Sequence, residues 1–387
     1  MSRTAICRKS NQISKLQILR IMKMLQLTLI AIVILLAANW ATAQDAMEVV
    51  EEPRLEAPAE EEIESKLPFE ISGFVDAYYA ASGTDNPLPT SFTESINSFN
   101  LGMANVVLSK EGTVGFVADI AVGPRAEVAN GFTGTTLAAI KQLYVTYSPT
   151  DWLTFTLGNY GTHVGYEVID APANINYSTS YMFSNGPFYH TGLKADVALS
   201  EQFGLMVGLF DDTDSKLDFV PGKHIGAQLS YSDDKTGIYL NYIGGKDAEE
   251  DEFSPAVFGH QFDLTATYQA TDKFGLGVNA TNKTVAPEEG DNTSWFGAAL
   301  YANYAFSDAF LLGLRGEYIG DDDGLILGAT DGSVFSFTIS GNYKKGPLTI
   351  IPEFRLDSAA EDVFPDGDSG KVTSSIPVFL VAAVYSF

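Results

Sequence analysis

The sequence predicts an all-β fold: a 16-stranded antiparallel up-and-down transmembrane β-barrel over residues 68–387, with short periplasmic turns and long extracellular loops. Three observations carry this reading. Beyond Pro68 the polarity alternates with period two, connections alternate strictly between long and short, and the charges of the strands keep to one side-chain phase.

The elements follow in chain order. Met24 to Ala38 is almost wholly apolar, follows Arg20 and Lys23, and leads into Ala41-Thr42-Ala43 before Gln44. That pattern is a secretory signal peptide over residues 1–43, with cleavage between Ala43 and Gln44. Its 15 residues, Gln26 and Thr28 among them, fall short of the roughly 20 apolar ones that a membrane-spanning helix requires. The stretch before Met22 is long for a basic leader, and translation from Met22 is the hypothesis that fits it.

Of the 23 Lys and Arg, six lie in this segment and no acid does, so the mature chain sets 17 bases against 49 acids, a net charge of −32. Cys7 leaves as well, so an exported chain without cysteine must take its stability from a core or a closed sheet. So acidic a chain is not expected to bind nucleic acid. Residues 44–67 carry nine acids, two prolines and no aromatic side chain, the composition of an acidic periplasmic leader.

Sixteen segments rich in Val, Phe, Tyr, Thr and Gly follow, and no helical period is sustained for three turns. They lie near 68–82, 97–109, 112–123, 138–149, 152–162, 187–199, 203–212, 222–233, 236–245, 258–271, 273–283, 293–307, 309–319, 331–343, 346–357 and 374–387. Seven connections are tight, from Lys110-Glu111 to Lys344-Lys345, and eight are long, at 83–96, 124–137, 163–186, 213–221, 246–257, 284–292, 320–330 and 358–373. A meander with one short-turn rim and one long-loop rim produces that alternation, and an even strand number returns both ends to the short-turn rim.

Phase agrees. Val114, Phe116, Ala118, Ile120 and Val122, or Ile225, Ala227, Leu229 and Tyr231, or Phe310, Leu312 and Leu314, form uncharged faces that suit lipid. The opposite phase holds Asp76, Asp119, Lys141, Lys194, Asp196, Asp263, Arg315, Glu317, Glu353 and Arg355, expected to line the pore. A charge on the lipid face costs up to ~2–4 kcal/mol at the midplane, which explains one-sided exclusion. The last strand ends on Phe387 with Phe379, Val381, Ala383 and Tyr385 in the same stripe. Such a strand resembles the signal by which the barrel-assembly machinery recognises its clients.

Barrels of sixteen to eighteen strands are too wide for side chains to fill and enclose water. Six acids against four bases on the interior list, with acidic runs such as Asp321-Asp322-Asp323 and Glu249-Glu250-Asp251-Glu252 in the loops, point to a mild cation preference. The third long loop, His163 to Gly186, is the longest and the richest in apolar and amide residues. In position it resembles the loop that folds inward to constrict sixteen-stranded porins, which implies an inward fold with Glu167, Asp170, Asn174, Asn176, Tyr177 and Tyr181 at the constriction, opposed across water by Lys141, Arg315 and Arg355.

Several segments carry a resemblance. They are Ile71-Ser-Gly-Phe-Val-Asp-Ala-Tyr-Tyr79, Ser98 to Ala104, Leu157-Gly-Asn-Tyr-Gly-Thr-His-Val-Gly-Tyr-Glu-Val-Ile169 with Asn174-Ile-Asn-Tyr-Ser178, and His190-Thr-Gly192. Together the chain resembles the OmpL-like β-barrel porins of bacterial outer membranes over residues 68–387. The resemblance implies an outer-membrane pore for ions and small polar solutes, in contact with outer-membrane lipid; by analogy with sixteen-stranded porins it implies a homotrimer.

Enzymatic signatures are missing. His163, His190, His224 and His260 show neither HxH nor HExxH spacing, and neither a G-x-S-x-G elbow nor a Walker sequence occurs. Asp366-Gly-Asp368-Ser-Gly370 and Asp321 to Gly324 lack the remaining ligands of a calcium loop and read as acidic turns. No enzyme, cofactor or metal is expected. The second function class is a surface barrel acting as an adhesin or solute receptor through its acidic loops, which single-channel conductance would separate from a pore.

Overall fold

A computed structural model describes residues 68–387 except 85–86, 94, 132–134, 218–221, 247–256, 288–289, 329–331 and 368–370. The signal segment with its Ala43–Gln44 junction, the acidic leader and the run Glu249 to Glu252 lie outside the described residues.

Sixteen strands close into one antiparallel ring. In chain order they are β1 (Glu70–Ser82), β2 (Ser98–Lys110), β3 (Val114–Val122), β4 (Ile140–Thr150), β5 (Leu153–Gly161), β6 (Tyr189–Ala198), β7 (Phe203–Phe210) and β8 (His224–Ser232). Then come β9 (Thr236–Lys246), β10 (Val257–Thr271), β11 (Phe274–Pro287), β12 (Thr293–Ser307), β13 (Phe310–Asp321), β14 (Gly332–Lys345), β15 (Leu348–Ala359) and, last, β18 (Ser375–Ser386). Each pairs with its neighbours in sequence. The ring shuts where β18 lies between β15 and β1, in register from Phe74↔Ser386 to Ser82↔Val378. Phe387 and Gly73 exchange both backbone hydrogen bonds at 3.0 Å, so the closure runs to the last residue. A closed ring leaves no strand edge unpaired, the condition for irregular-free crossing of a bilayer.

The pleat sorts the side chains as their alternation predicts. Val114, Ile225, Leu300 and Phe379 are among the exposed outward residues, and Phe99 is 88 % exposed on this face. Asp76, Asp119, Asp263, Arg315, Glu317, Glu353 and Arg355 lie on the inner side and are buried. The last strand breaks the pattern on its inner face, where Ile376, Val378, Leu380, Ala382 and Val384 are all buried. That sector of the lumen is packed with protein rather than water.

The second and eighth long loops contain structure the sequence did not announce. In the second, Pro124 with its fixed φ opens a short helix, α1 (Pro124–Asn130); in the eighth, β16 (Phe364–Asp366) and β17 (Lys371–Thr373) form a hairpin. Both are too short to register as periodicity. β11 also runs past the expected end at 283, because its ladder with β10 continues to Val257↔Pro287.

Candidate functional site

The loop between β5 and β6 enters the barrel and crosses it as a strap. Its two sets of anchors lie on separate arcs of the ring, one on β8 to β10 and the other running from β13 round to β1.

The first anchor is on β8 to β10. The His163 ring nitrogen Nε2 lies 3.0 Å from the Tyr242 carbonyl oxygen, and since a carbonyl only accepts, that nitrogen carries the proton. Gln228 donates to the His163 carbonyl at 3.3 Å. The Gly165 amide donates to Asp263 at 3.0 Å, and Asp263 is itself held by Asn241 at 2.8 Å and Asn279 at 2.6 Å. Val164 packs here with Tyr160, Met206, Phe210 and Ile243.

The second anchor spans β13 to β15 and β1. Glu353 accepts the amides of Tyr177 (2.7 Å) and Ser178 (3.1 Å), and Glu317 those of Tyr181 (3.0 Å) and Met182 (2.9 Å). Tyr177 donates its hydroxyl to Asp76 at 2.5 Å, and Tyr181 donates to Asp357 at 2.9 Å. Arg315 donates to Glu167 at 2.5 Å and to the Ser178 carbonyl at 2.7 Å. Arg355 makes a two-point contact with Asp357 at 2.8 and 2.9 Å and donates to the Thr179 carbonyl at 2.7 Å. A one-turn helix, α2 (Tyr181–Ser184), is capped by the Ser180 hydroxyl, which accepts the Phe183 amide at 3.0 Å.

Three inward glycines make room for the strap. A Cβ on Gly277 would lie 2.4 Å from the Tyr166 hydroxyl, one on Gly297 2.5 Å from Met182 Cγ, and one on Gly313 2.0 Å from Ile175 Cγ2. Absence of a side chain at these points is what lets Tyr166, Met182 and Ile175 of the strap seat their side chains against the wall.

The expected site residues fall as follows. Glu167, Asn176, Tyr177 and Tyr181 are buried in the contact between strap and wall. Asn176 donates to Ser340 at 2.7 Å. Asn174 turns back on its own loop, bonding the Val168 amide (3.0 Å) and carbonyl (2.6 Å). Asp170 pairs with Lys141, which also binds Asp119 at 2.6 Å. Of the charges expected to face each other across water, Arg315 is in contact with Glu167 and Lys141 with Asp170, while Arg355 pairs with Asp357 on its own strand and Lys141 also with Asp119 on the neighbouring one. The physical reason is desolvation, since ions covered by a docked loop persist only when paired. Lys194 and Asp196 pair with each other at 3.0 Å and keep 26 % and 42 % of their side-chain surface exposed.

Sequence reading missed two partners. Arg125 on α1 is buried, donates to the Ile169 carbonyl at 3.1 Å, and lies over the Phe92 and Tyr177 rings at 4.7 and 4.8 Å. Nothing in its surroundings in sequence marks it as internal. Asp357 was legible, because it sits two residues beyond Arg355 on the same strand phase.

Cavities lie against both faces of the strap. One, about 430 Å³, is bounded by Tyr166, Asn174 and Ile175 of the strap and by Gln228, Tyr239 and Thr267 of the wall. The other, about 330 Å³, is bounded by Lys141, Gln142, Asp170, Phe188 and Tyr189. Both touch Thr162, Gly165, Glu167 and Ala173, so these four residues mark the partition between them. His163 borders the first cavity, and burial pushes its pKa down from 6.5 to about 4.

Among the described residues no cluster of three or more His, Cys, Asp or Glu could hold a metal. Asp321, an expected acidic-turn residue, spends its carboxylate on the amides of Leu325, Ile326 and Leu327 at 2.7–2.8 Å.

Residues 68–387 match the family described as beta-barrel porin-2, OmpL-like. The chain belongs to that family. Solved structures agree on the fold of this OmpL-like barrel. The outer-membrane channel DcaP of Acinetobacter baumannii superposes with a TM-score of 0.57 at 16 % identity, covering 82 % of this chain and 97 % of that one. An anion-selective porin from Comamonas acidovorans gives 0.56 at 13 % identity, covering 82 % and 99 %. OmpT of Vibrio cholerae gives 0.55 at 11 % identity, covering 82 % and 97 %. At these identities the likeness shows architecture alone. No curated protein matches the chain in sequence.

Proposed function

We propose that this OmpL-like barrel is a diffusion channel of the bacterial outer membrane, reached through a cleaved signal peptide, that passes ions and small polar solutes beside the strap. The observation that carries the reading is the pair of cavities on the two faces of the strap, meeting at Thr162, Gly165, Glu167 and Ala173. A sixteen-strand ring leaves more bore than side chains fill, and here the surplus lies along the β4 to β12 side. Inward docking of the longest loop supports a channel over an adhesin, because the loop is spent on the lumen instead of on the outer surface.

Cation preference remains part of the proposal and is mild. With the strongest interior charges paired, selectivity falls to the surplus of acids on the long loops and to the exposed Asp196. Purified protein in a planar bilayer is expected to give steady ohmic steps, with a reversal potential of cation-selective sign in a salt gradient. Silence would move the protein to the receptor class, and an anion-selective potential would remove the cation preference while leaving the channel.

A further inference from the structure

The cavity of about 430 Å³ between the strap and β8 to β12 is poor in charge. Among its described lining residues the one formal charge is Glu167, and both of its oxygens are committed, one to Arg315 at 2.5 Å and the other to the Ser180 amide at 2.7 Å. His163, also on the lining, uses its protonated nitrogen on the Tyr242 carbonyl. An ion that shed water here would gain no opposite charge in exchange.

What the chamber offers is tyrosine and neutral hydrogen-bonding groups. Tyr166 and Tyr239 are half-buried, and Tyr166 stacks on Tyr301 with ring centres 4.1 Å apart and planes 17° apart. Gln228, whose NH2 is held by the His163 carbonyl and Asn241, adds an accepting amide oxygen, and Thr265 and Thr267 add two hydroxyls along the wall. Gly277 is shaped to this arrangement, since a side chain there would collide with the Tyr166 hydroxyl. Flat aromatic faces cover apolar C–H surface, whereas hydroxyls both donate and accept and an amide oxygen accepts. A solute that combines an apolar ring face with a rim of hydroxyls satisfies both sets at once. The volume falls inside the ~300–1,000 Å³ range of small-molecule sites.

We propose that this chamber is a binding subsite for a neutral polyhydroxylated ring solute, a sugar of one or two units, on the path across the barrel. The proposal rests on the diffusion-channel reading and names the solute class that the channel retains.

The test is ion current through single channels with maltose as the probe. Maltobionate, its carboxylate-bearing relative, and a polyethylene glycol of equal size serve as controls. Maltose is expected to block the current saturably, with maltobionate at least tenfold weaker and the polymer showing no saturation. Tyr239→Ala should weaken the maltose block at least tenfold, read as the fraction of that variant's own open current. If Tyr239→Ala does not insert, Thr267→Val read in the same way decides. Steady channels that maltose reduces no more than the polymer does, or that maltobionate blocks equally well, overturn the subsite and leave the channel standing. Wild-type protein that conducts nothing overturns both.

Discussion

Carboxylates inside this barrel act mainly as acceptors for a loop's backbone. Glu317 and Glu353 each take two adjacent amides of the strap, and Asp263 takes a third site at Gly165. Hydrogen bonds to an ionised acceptor are roughly twice as strong as neutral ones, and they grow costly to break once water is excluded. Arg315 and Arg355, fully buried, are held the same way, and stripping the partner from such a buried ion costs about 3–5 kcal/mol. His163 gives this anchoring a pH dependence. An undocked His binds a proton near 6.5, and the docked one, buried against Phe210 and His190, does so only at about 4. Across that window the undocked loop carries more protons, so docking weakens as pH falls from about 6.5 towards 4. Lys194 opposes protonation of the ring and Asp196 favours it. Protease nicking of the strap should rise over this range, and in His163→Gln the rise should be smaller. An identical pH profile in the variant would assign the effect to the carboxylates instead.

At the scale of the element, the strap is positioned as much by missing side chains as by present ones. Gly313 accepts Ile175, a β-branched side chain with one strongly preferred rotamer, whereas Gly297 accepts the flexible Met182. Gly313→Ala is therefore expected to cost ~1–3 kcal/mol of docking energy, and Gly297→Ala clearly less. Limited proteolysis of residues 162–188 measures the difference, and equal nicking of the two variants would refute the socket argument. The strands themselves were legible, β12 at 293–307 to the residue, because alternation is local and the bilayer enforces it on every strand. The strap's inward path was also expected, from its length, its composition and its likeness in position to the constricting loop of sixteen-stranded porins. Its partners were not, since Tyr177 and Glu353 stand 176 residues apart and period-two patterning reports only the face of the wall a residue is on. For the same reason Glu353 and Arg355 were expected to face water, when their side of the bore is filled by Tyr177, Tyr181 and the apolar inner face of β18.

For the whole molecule, the seam between β1 and β18 decides whether there is a barrel at all. Phe387 closes it with two backbone bonds to Gly73 and supplies the outward aromatic end of its stripe, 57 % exposed. Deleting Phe387 is expected to lower the fraction of protein that inserts and to speed unfolding, seen as loss of the heat-modifiable band on a gel. Leu300→Ala, on the middle of the outer wall, should do so far less. If both variants insert like the parent, the terminal residue has no special part in closure.

The strap's docking points come from both ends of the chain. Tyr177 needs Asp76 near the start and Glu353 near the finish, and Gly165 needs Asp263 from the middle. Tyr177 cannot hold both Asp76 and Glu353 until the first and last staves meet. The complete set of strap contacts therefore follows closure and cannot precede it: the hoop shuts first, and only then is its crossbar fully pinned.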